Sequence, residues 1–247
     1  MAITDYLSAY WKLEESSGNR LDSWGSSTLT SNNSVGQTTG IQGSCASFTA
    51  ASSMFLSMAD SAAVSSGNVD FAAMCWVYIT NYGASANGQR FFSKDDNGVN
   101  REWLLGYETG ANKFTCILWS GASGSGFTQV YANTFGAPSI NTWYQLWFLH
   151  DSVGNTLGIQ VNNGTVDTTA ASSGIYDGAA PLHIGGYNAS AQFVQGRIDE
   201  AAIFKGGLPT TAEKTFLYNS GAGRPYGFLA PNAVVQKNQT INRSRFI

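Results

Sequence analysis

Only 12% of the 247 residues are charged while 43% are apolar and 13% aromatic, with a net charge of -3; this balance excludes a disordered polymer, and the charge is about half the roughly 25% usual in a globular domain. From Tyr226 onward the only charges are Lys237, Arg243 and Arg245, so this tail carries +3 of the total of -3 and residues 1–225 stand at -6. A body of that sign repels phosphate, so no nucleic-acid partner is expected, and no apolar run is long enough to predict a membrane span.

The N-terminal stretch is interrupted by Asp5, where a secretory signal needs an unbroken apolar core. Synthesis in a cytoplasm without a classical signal is therefore the expectation. Further on, short apolar or alternating segments recur between turn residues. Phe71–Thr80 (FAAMCWVYIT) is rich in aromatic and β-branched residues and closes on Asn81-Tyr82-Gly83. RFFSKDDNGVNREWLLGYE reads as strand, turn and strand, with Asp96-Asn97-Gly98 as the hairpin signal. KFTCILWS, TQVYANTF, TWYQLWFLHD, LGIQVNNGTV, PLHIGG and QGRIDEAAIF follow, separated by turns such as Asn162-Asn163-Gly164 and Gly185-Gly186. Many short strands at regular spacing predict an all-β fold, a two-sheet antiparallel jelly-roll sandwich.

One segment departs from this rhythm. Pro209 sets the backbone for a helix start, and Thr210 with Glu213 has the spacing of a capping box. The prediction is one short helix near the C-terminus, with Ala212, Phe216 and Leu217 on its buried face and Gly221 or Gly223 ending it. Residues 1–225 are expected to form one domain, and 226–247 a polar, basic tail that orders only against a partner or its own domain's edge.

Ordered motifs then carry a resemblance: Ala9-Tyr10-Trp11-Lys12-Leu13-Glu14-Glu15-Ser16-Ser17-Gly18, Leu21-Asp22-Ser23-Trp24-Gly25, Asn141-Thr142-Trp143-Tyr144-Gln145-Leu146, Leu157-Gly158-Ile159-Gln160-Val161-Asn162-Asn163-Gly164, Gly196-Arg197-Ile198-Asp199-Glu200 and Leu217-Tyr218-Asn219-Ser220-Gly221. Over roughly residues 9 to 225 the chain resembles the concanavalin A-like lectin/glucanase superfamily, and in particular its laminin-G-like, pentraxin-like jelly rolls. That resemblance implies loops able to hold calcium, with Asp22 and Asp199 as ligands because first and last strands run as neighbours in such folds. Asp95, Asp96 and Asn97 offer a second oxygen cluster, suited to the same hard cation. The plainer alternative is that Asp22 caps a turn and that the Asp95–Asn97 stretch simply makes one.

Catalysis is not expected. Superfamily members that cleave glucans resemble one another in a Glu-x-Asp-x-x-Glu strand, and none of Glu14, Glu15, Glu102, Glu108, Glu200 or Glu213 is followed by Asp two residues later. Adjacent acids such as Asp199 and Glu200 point to opposite faces of a regular strand, so they do not flank one bond. His150 and His183 read as core or rim histidines. Cys75 and Cys116 read as small buried thiols, and the three cysteines, Cys45 included, cannot all pair internally.

For carbohydrate, aromatic rings beside turn amides and hydroxyls are the relevant chemistry. Trp119, Tyr131, Tyr187 and Trp24 are the candidate rings, Asn188 and the Asp95, Asp96, Asn97 stretch the candidate polar partners, and Ser120–Gly126 a rim. The resulting expectation is a non-enzymatic surface module. In the first reading it is a virion structural protein, for example a phage capsid decoration or tail/fibre protein. It recognises glycans as a lectin does, acts on the virion surface, and contacts other structural subunits or copies of itself through the C-terminal tail. The alternatives are a secreted or cell-surface carbohydrate-binding module, acting extracellularly, and a glycan hydrolase with an atypical site.

Overall fold

The computed structural model describes residues 2–188 and 191–228. Its strands are, in chain order, β1 (Leu7–Trp11), β2 (Thr30–Asn32), β3 (Gly36–Thr39), β4 (Ser44–Phe48), β5 (Phe55–Met58), β6 (Phe71–Ile79) and β7 (Gln89–Asp95). They continue as β8 (Arg101–Glu108), β9 (Lys113–Trp119), β10 (Phe127–Tyr131), β11 (Trp143–Asp151), β12 (Thr156–Val161), β13 (Val166–Ala170), β14 (Leu182–Ile184) and β15 (Gly196–Lys205), followed by α1 (Thr211–Tyr218). All the strand pairs are antiparallel. One sheet of eight strands runs β13-β12-β11-β6-β15-β4-β3, with β1 also on β15, and a sheet of seven runs β10-β9-β8-β7-β14-β5-β2. The predicted all-β, two-sheet jelly roll with one short helix is the architecture observed.

Turn chemistry explains the hairpins. Asn162 and Asn163 both take positive φ, 52° and 56°, as the central pair of the turn that the Gly164 amide closes on the Val161 carbonyl at the end of β12, and Asn97 sits at 57° between β7 and β8. Between the sheets lies one core, in which Phe71, Val77, Leu146, Phe148 and Ile203 of the first sheet meet Phe92, Trp103, Leu105, Phe114 and Leu118 of the second. Cys45, Cys75 and Cys116 are all buried and unpaired. His150 and His183 are buried as well, and burial lowers both, His183 to about 4.

The outward faces of the two sheets differ. On the first sheet, Tyr10, Met74, Trp76, Trp147 and Phe204 form a second apolar layer covered by Leu217 of α1, with Trp24 and Tyr218 packed against it. The capping box forms as expected, since Thr210 accepts from the Glu213 amide and the Glu213 carboxylate accepts from the Thr210 amide. The buried face of α1 is set by Lys214 and Leu217, however, while Ala212 and Phe216 point to solvent. The helix lies on the flank of the sheet, and Arg224 covers the Phe216 ring at 4.0 Å. Asn219, left-handed at φ 49°, ends the helix before either glycine is reached.

Tyr226, the first residue of the expected tail, packs against the body. The Tyr226 ring packs 4.9 Å from that of Tyr10, and its hydroxyl bonds to the Ser23 carbonyl. The remainder of the expected tail, 229–247, lies outside the described residues.

Candidate functional site

On the outward face of the second sheet, strands β8 and β9 break the rule of apolar inside, polar outside. Trp103, Leu105, Cys116 and Leu118 fill the core, yet Leu104, Ile117 and Trp119 between them are apolar too and form a small cluster with Tyr187. An apolar patch on the outer side of a sheet needs a cover, and here Arg101 and the Tyr187 segment help to supply it, so that Leu104, Ile117 and Trp119 are all buried. The segment after β14 brings Tyr187 and Asn188 over the sheet, closes on itself through Tyr187–Ala191 backbone bonds, and is pinned to β7 by the Arg90 amide on the Gln192 carbonyl, 3.0 Å. What remains open is a cleft of about 410 Å³ lined by Arg90, Asn97, Arg101, Trp119, Phe127 and Tyr187 among others. That size lies in the range of small-ligand sites.

Arg101 organises the cleft. Its guanidinium holds Asp95 through two nitrogens at 3.0–3.1 Å, donates to the Tyr187 hydroxyl at 2.9 Å, and lies 4.1 Å above the Trp119 ring. Tyr187 in turn donates to Asn97 at 3.0 Å. Burial pushes the Tyr187 phenol up to about 12, with Asp95 adding to it, so this hydroxyl stays protonated. Burial likewise raises Asp95 against the pull of Arg101, and lowers Arg90 against the pull of Glu108, which Arg90 holds at 2.5 Å. The Arg90 Nε and the Gln192 side-chain oxygen are buried without a protein partner at the cleft wall.

The expected residues divide accordingly. Asn97, Trp119, Tyr187 and Asn188 all line the cleft. Trp119 is not an open platform: it is 3% exposed, capped by Arg101 on one face and met edge-on by Phe127 at 5.9 Å. Asp95 is fully buried under Arg101 and offers no free oxygen to a ligand. Asp96 spends its carboxylate on the amides of Gly98 and Asn100 and on the Asn100 side chain, which is the turn-making alternative. Tyr131 lies farther along β10, opposite Thr115, outside the cleft lining.

Arg90, Arg101, Leu104, Ile117 and Phe127 escaped the sequence reading. The lack of alternation in Trp103-Leu104-Leu105 and Cys116-Ile117-Leu118-Trp119 is the signal that could have found the patch, since strands apolar on both faces are covered on both.

The residues expected to bind calcium do not form a ligand set. β1 does pair with β15, but Asp22 accepts from the amides of Tyr10, Trp24 and Ser27, and Asp199 from those of Ile41, Gln42 and Glu200. Carboxylate oxygens facing amide protons clasp loops. Among the described residues, no three His, Cys, Asp or Glu side chains are grouped to hold a metal ion. The expectation that Asp199 and Glu200 point to opposite faces is corrected as well. A bulge between Asp199 and Ala202, with Glu200 at φ 48°, turns both to the helix-covered side, where Glu200 meets the Tyr10 hydroxyl.

Fold and cleft together define a two-sheet jelly roll with an open cleft on the outward face of its second sheet. Residues 55–212 match the Laminin G 3 family, described as the concanavalin A-like lectin/glucanases superfamily, and the chain belongs to it. No curated protein sequence matches. Among solved structures, the binding domain of Paraclostridial Mosquitocidal Protein 1 is similar at TM-score 0.69 and 14% identity, covering 89% of this chain and 53% of that one. The binding domain of Botulinum Neurotoxin DC, in complex with SialylT, is similar at TM-score 0.63 and 12% identity, over 89% and 52%. Domain 4 of AbnA, a GH43 extracellular arabinanase from Geobacillus stearothermophilus, in complex with arabinotriose, is similar at TM-score 0.61 and 18% identity, over 89% and 98%. The chain thus spans about half the length of these toxin domains and nearly all of the arabinanase domain.

Proposed function

We propose that the chain is a non-catalytic carbohydrate-binding module whose cleft on the second sheet takes an uncharged glycan. The carrying observation is the exposed ring of Phe127 beside a buried apolar floor of Leu104, Ile117 and Trp119 on an outward sheet face, bounded by the fixed hydrogen-bonding groups of Arg101, Tyr187 and Asn97. The apolar face of a sugar ring suits the first, and its hydroxyls suit the second. Both arginines are already neutralised by a carboxylate, Arg101 by Asp95 and Arg90 by Glu108, so an anionic ligand would compete with fixed partners. The same pairing removes these two acids from service as a hydrolytic acid and base. Arabinotriose on the arabinanase domain and SialylT on the neurotoxin DC domain support the glycan reading.

A glycan array of the full chain, bearing neutral and sialylated glycans and run with and without EDTA, tests this. Retention on neutral glycans in both buffers is expected. No retention, retention on sialylated glycans alone, or release of reducing ends from a bound polysaccharide would overturn the reading. Loss in EDTA would instead revive a calcium ion at Asp22 or Asp199.

We further propose an outer surface as the setting, on a virion or as a secreted or cell-surface module. Sizing of the full chain beside a version ending at residue 228 checks the virion building-block form: assembly by the first and not the second is expected. A monomer in both would overturn that form.

A further inference from the structure

A second cleft, about 160 Å³, adjoins the first, and Phe127 lines both. Phe127 opens β10, an edge strand of the second sheet, opposite Trp119; it is 56% exposed and stands as a partition between the two spaces. The two sides differ in chemistry. Beyond the partition the walls are Ser120, Thr128, Ser172 and Ser173 with the glycines 126 and 174. Those walls are fixed by backbone: Gly126 and Gly174 take positive φ, 66° and 72°, and a Cβ on either would collide with Ser120 or with Asn68. The Ser120 amide holds the Gly126 carbonyl at 3.2 Å, closing the loop beside the partition.

Resting on the glycan-binding reading, we infer that the occupant is an oligosaccharide that crosses Phe127, with one sugar unit in the arginine–aromatic cleft and the next in the hydroxyl-lined cleft beyond. A single exposed ring with a binding space on each side contacts two successive units, and a monosaccharide uses only one.

Calorimetry of the full chain with arabinotriose, arabinobiose and arabinose, and with the strongest array glycan and its truncations to the monosaccharide, is the test. We expect affinity to rise about tenfold from the monosaccharide to the longer chain, which is about 1.4 kcal/mol. Ser172→Leu, a change at an exposed position filling only the second cleft, is expected to abolish that gain while leaving monosaccharide affinity unchanged, and Phe127→Ala to weaken every length. A monosaccharide bound as tightly as its trisaccharide, or a gain untouched by Ser172→Leu, overturns the two-cleft inference and leaves the glycan reading intact. Absence of binding to every glycan overturns both.

Discussion

Arg101 serves three neighbours with one guanidinium: it neutralises Asp95, which is fully buried, donates to the Tyr187 hydroxyl, and covers the Trp119 ring. Removing one partner of a buried pair leaves the other charge without compensation. Arg101→Met is therefore expected to cost about 3 kcal/mol in urea unfolding, the low end of the range because Arg101 is 26% exposed. Adding Asp95→Asn should recover part of that loss, and a double variant no more stable than the single one would contradict the argument. Phe127 behaves in the opposite way. Its exposed ring contributes little to the fold, so Phe127→Ala should leave the melting temperature nearly unchanged while weakening glycan binding. At this scale the sequence was misleading about Trp119, because a ring next to a Gly/Ser loop looks open until Arg101, eighteen positions earlier, is seen lying across it.

At the level of elements, β15 and α1 carry separable consequences. The bulge in β15 buries two consecutive acids, and burial pushes Asp199 up to about 7 and Glu200 to about 8. Three amides pull Asp199 back, so Glu200 is the one that holds its proton longest. The folded chain thus keeps protons that the unfolded chain, with Glu near 4.5, has already released. Stability from this site is full below about pH 4, falls as pH rises, and levels off above about 8. Glu200→Gln mimics the protonated form, so its melting temperature relative to the parent should climb between about pH 5 and 8; a constant offset would refute the assignment. Thr210→Ala removes the α1 cap and should cost about 1 kcal/mol in thermal unfolding. Most of these elements were legible. β6 to β15 alternate or carry continuous apolar runs between asparagine and glycine turns, and the Thr210–Glu213 cap declared the helix. β2 and β3 were not, because Thr30–Asn32 and Gly36–Thr39 are short, polar edge segments with no apolar period, and β4 and β5 are runs of only five and four residues. The helix face was misjudged for a related reason: 3.6-residue spacing gives the stripe, and only packing tells which side of Leu217 meets the sheet.

The molecule as a whole is two sheets with three apolar layers, a central core and one layer on each outward face. Two of its thiols, Cys75 and Cys116, sit within the central core, and all three, Cys45 included, are inaccessible. Native protein should therefore resist a disulfide-exchange reagent and titrate three thiols only in denaturant; prompt labelling of one in the native state would show the layers to be less closed than described. The partners a cleft recognises were beyond the sequence, since Arg90 and Arg101 on neighbouring strands, Phe127 and Tyr187 come together only when β7 to β10 are laid side by side.

Tyr226 rests against Tyr10 on the helix-covered side, whereas the cleft opens on the reverse side of the sandwich. Tyr226 and the cleft thus occupy opposite faces of the sandwich, as a lamp faces away from its bracket. A sensor chip loaded through the helix-covered side would accordingly present the cleft toward the flowing sample.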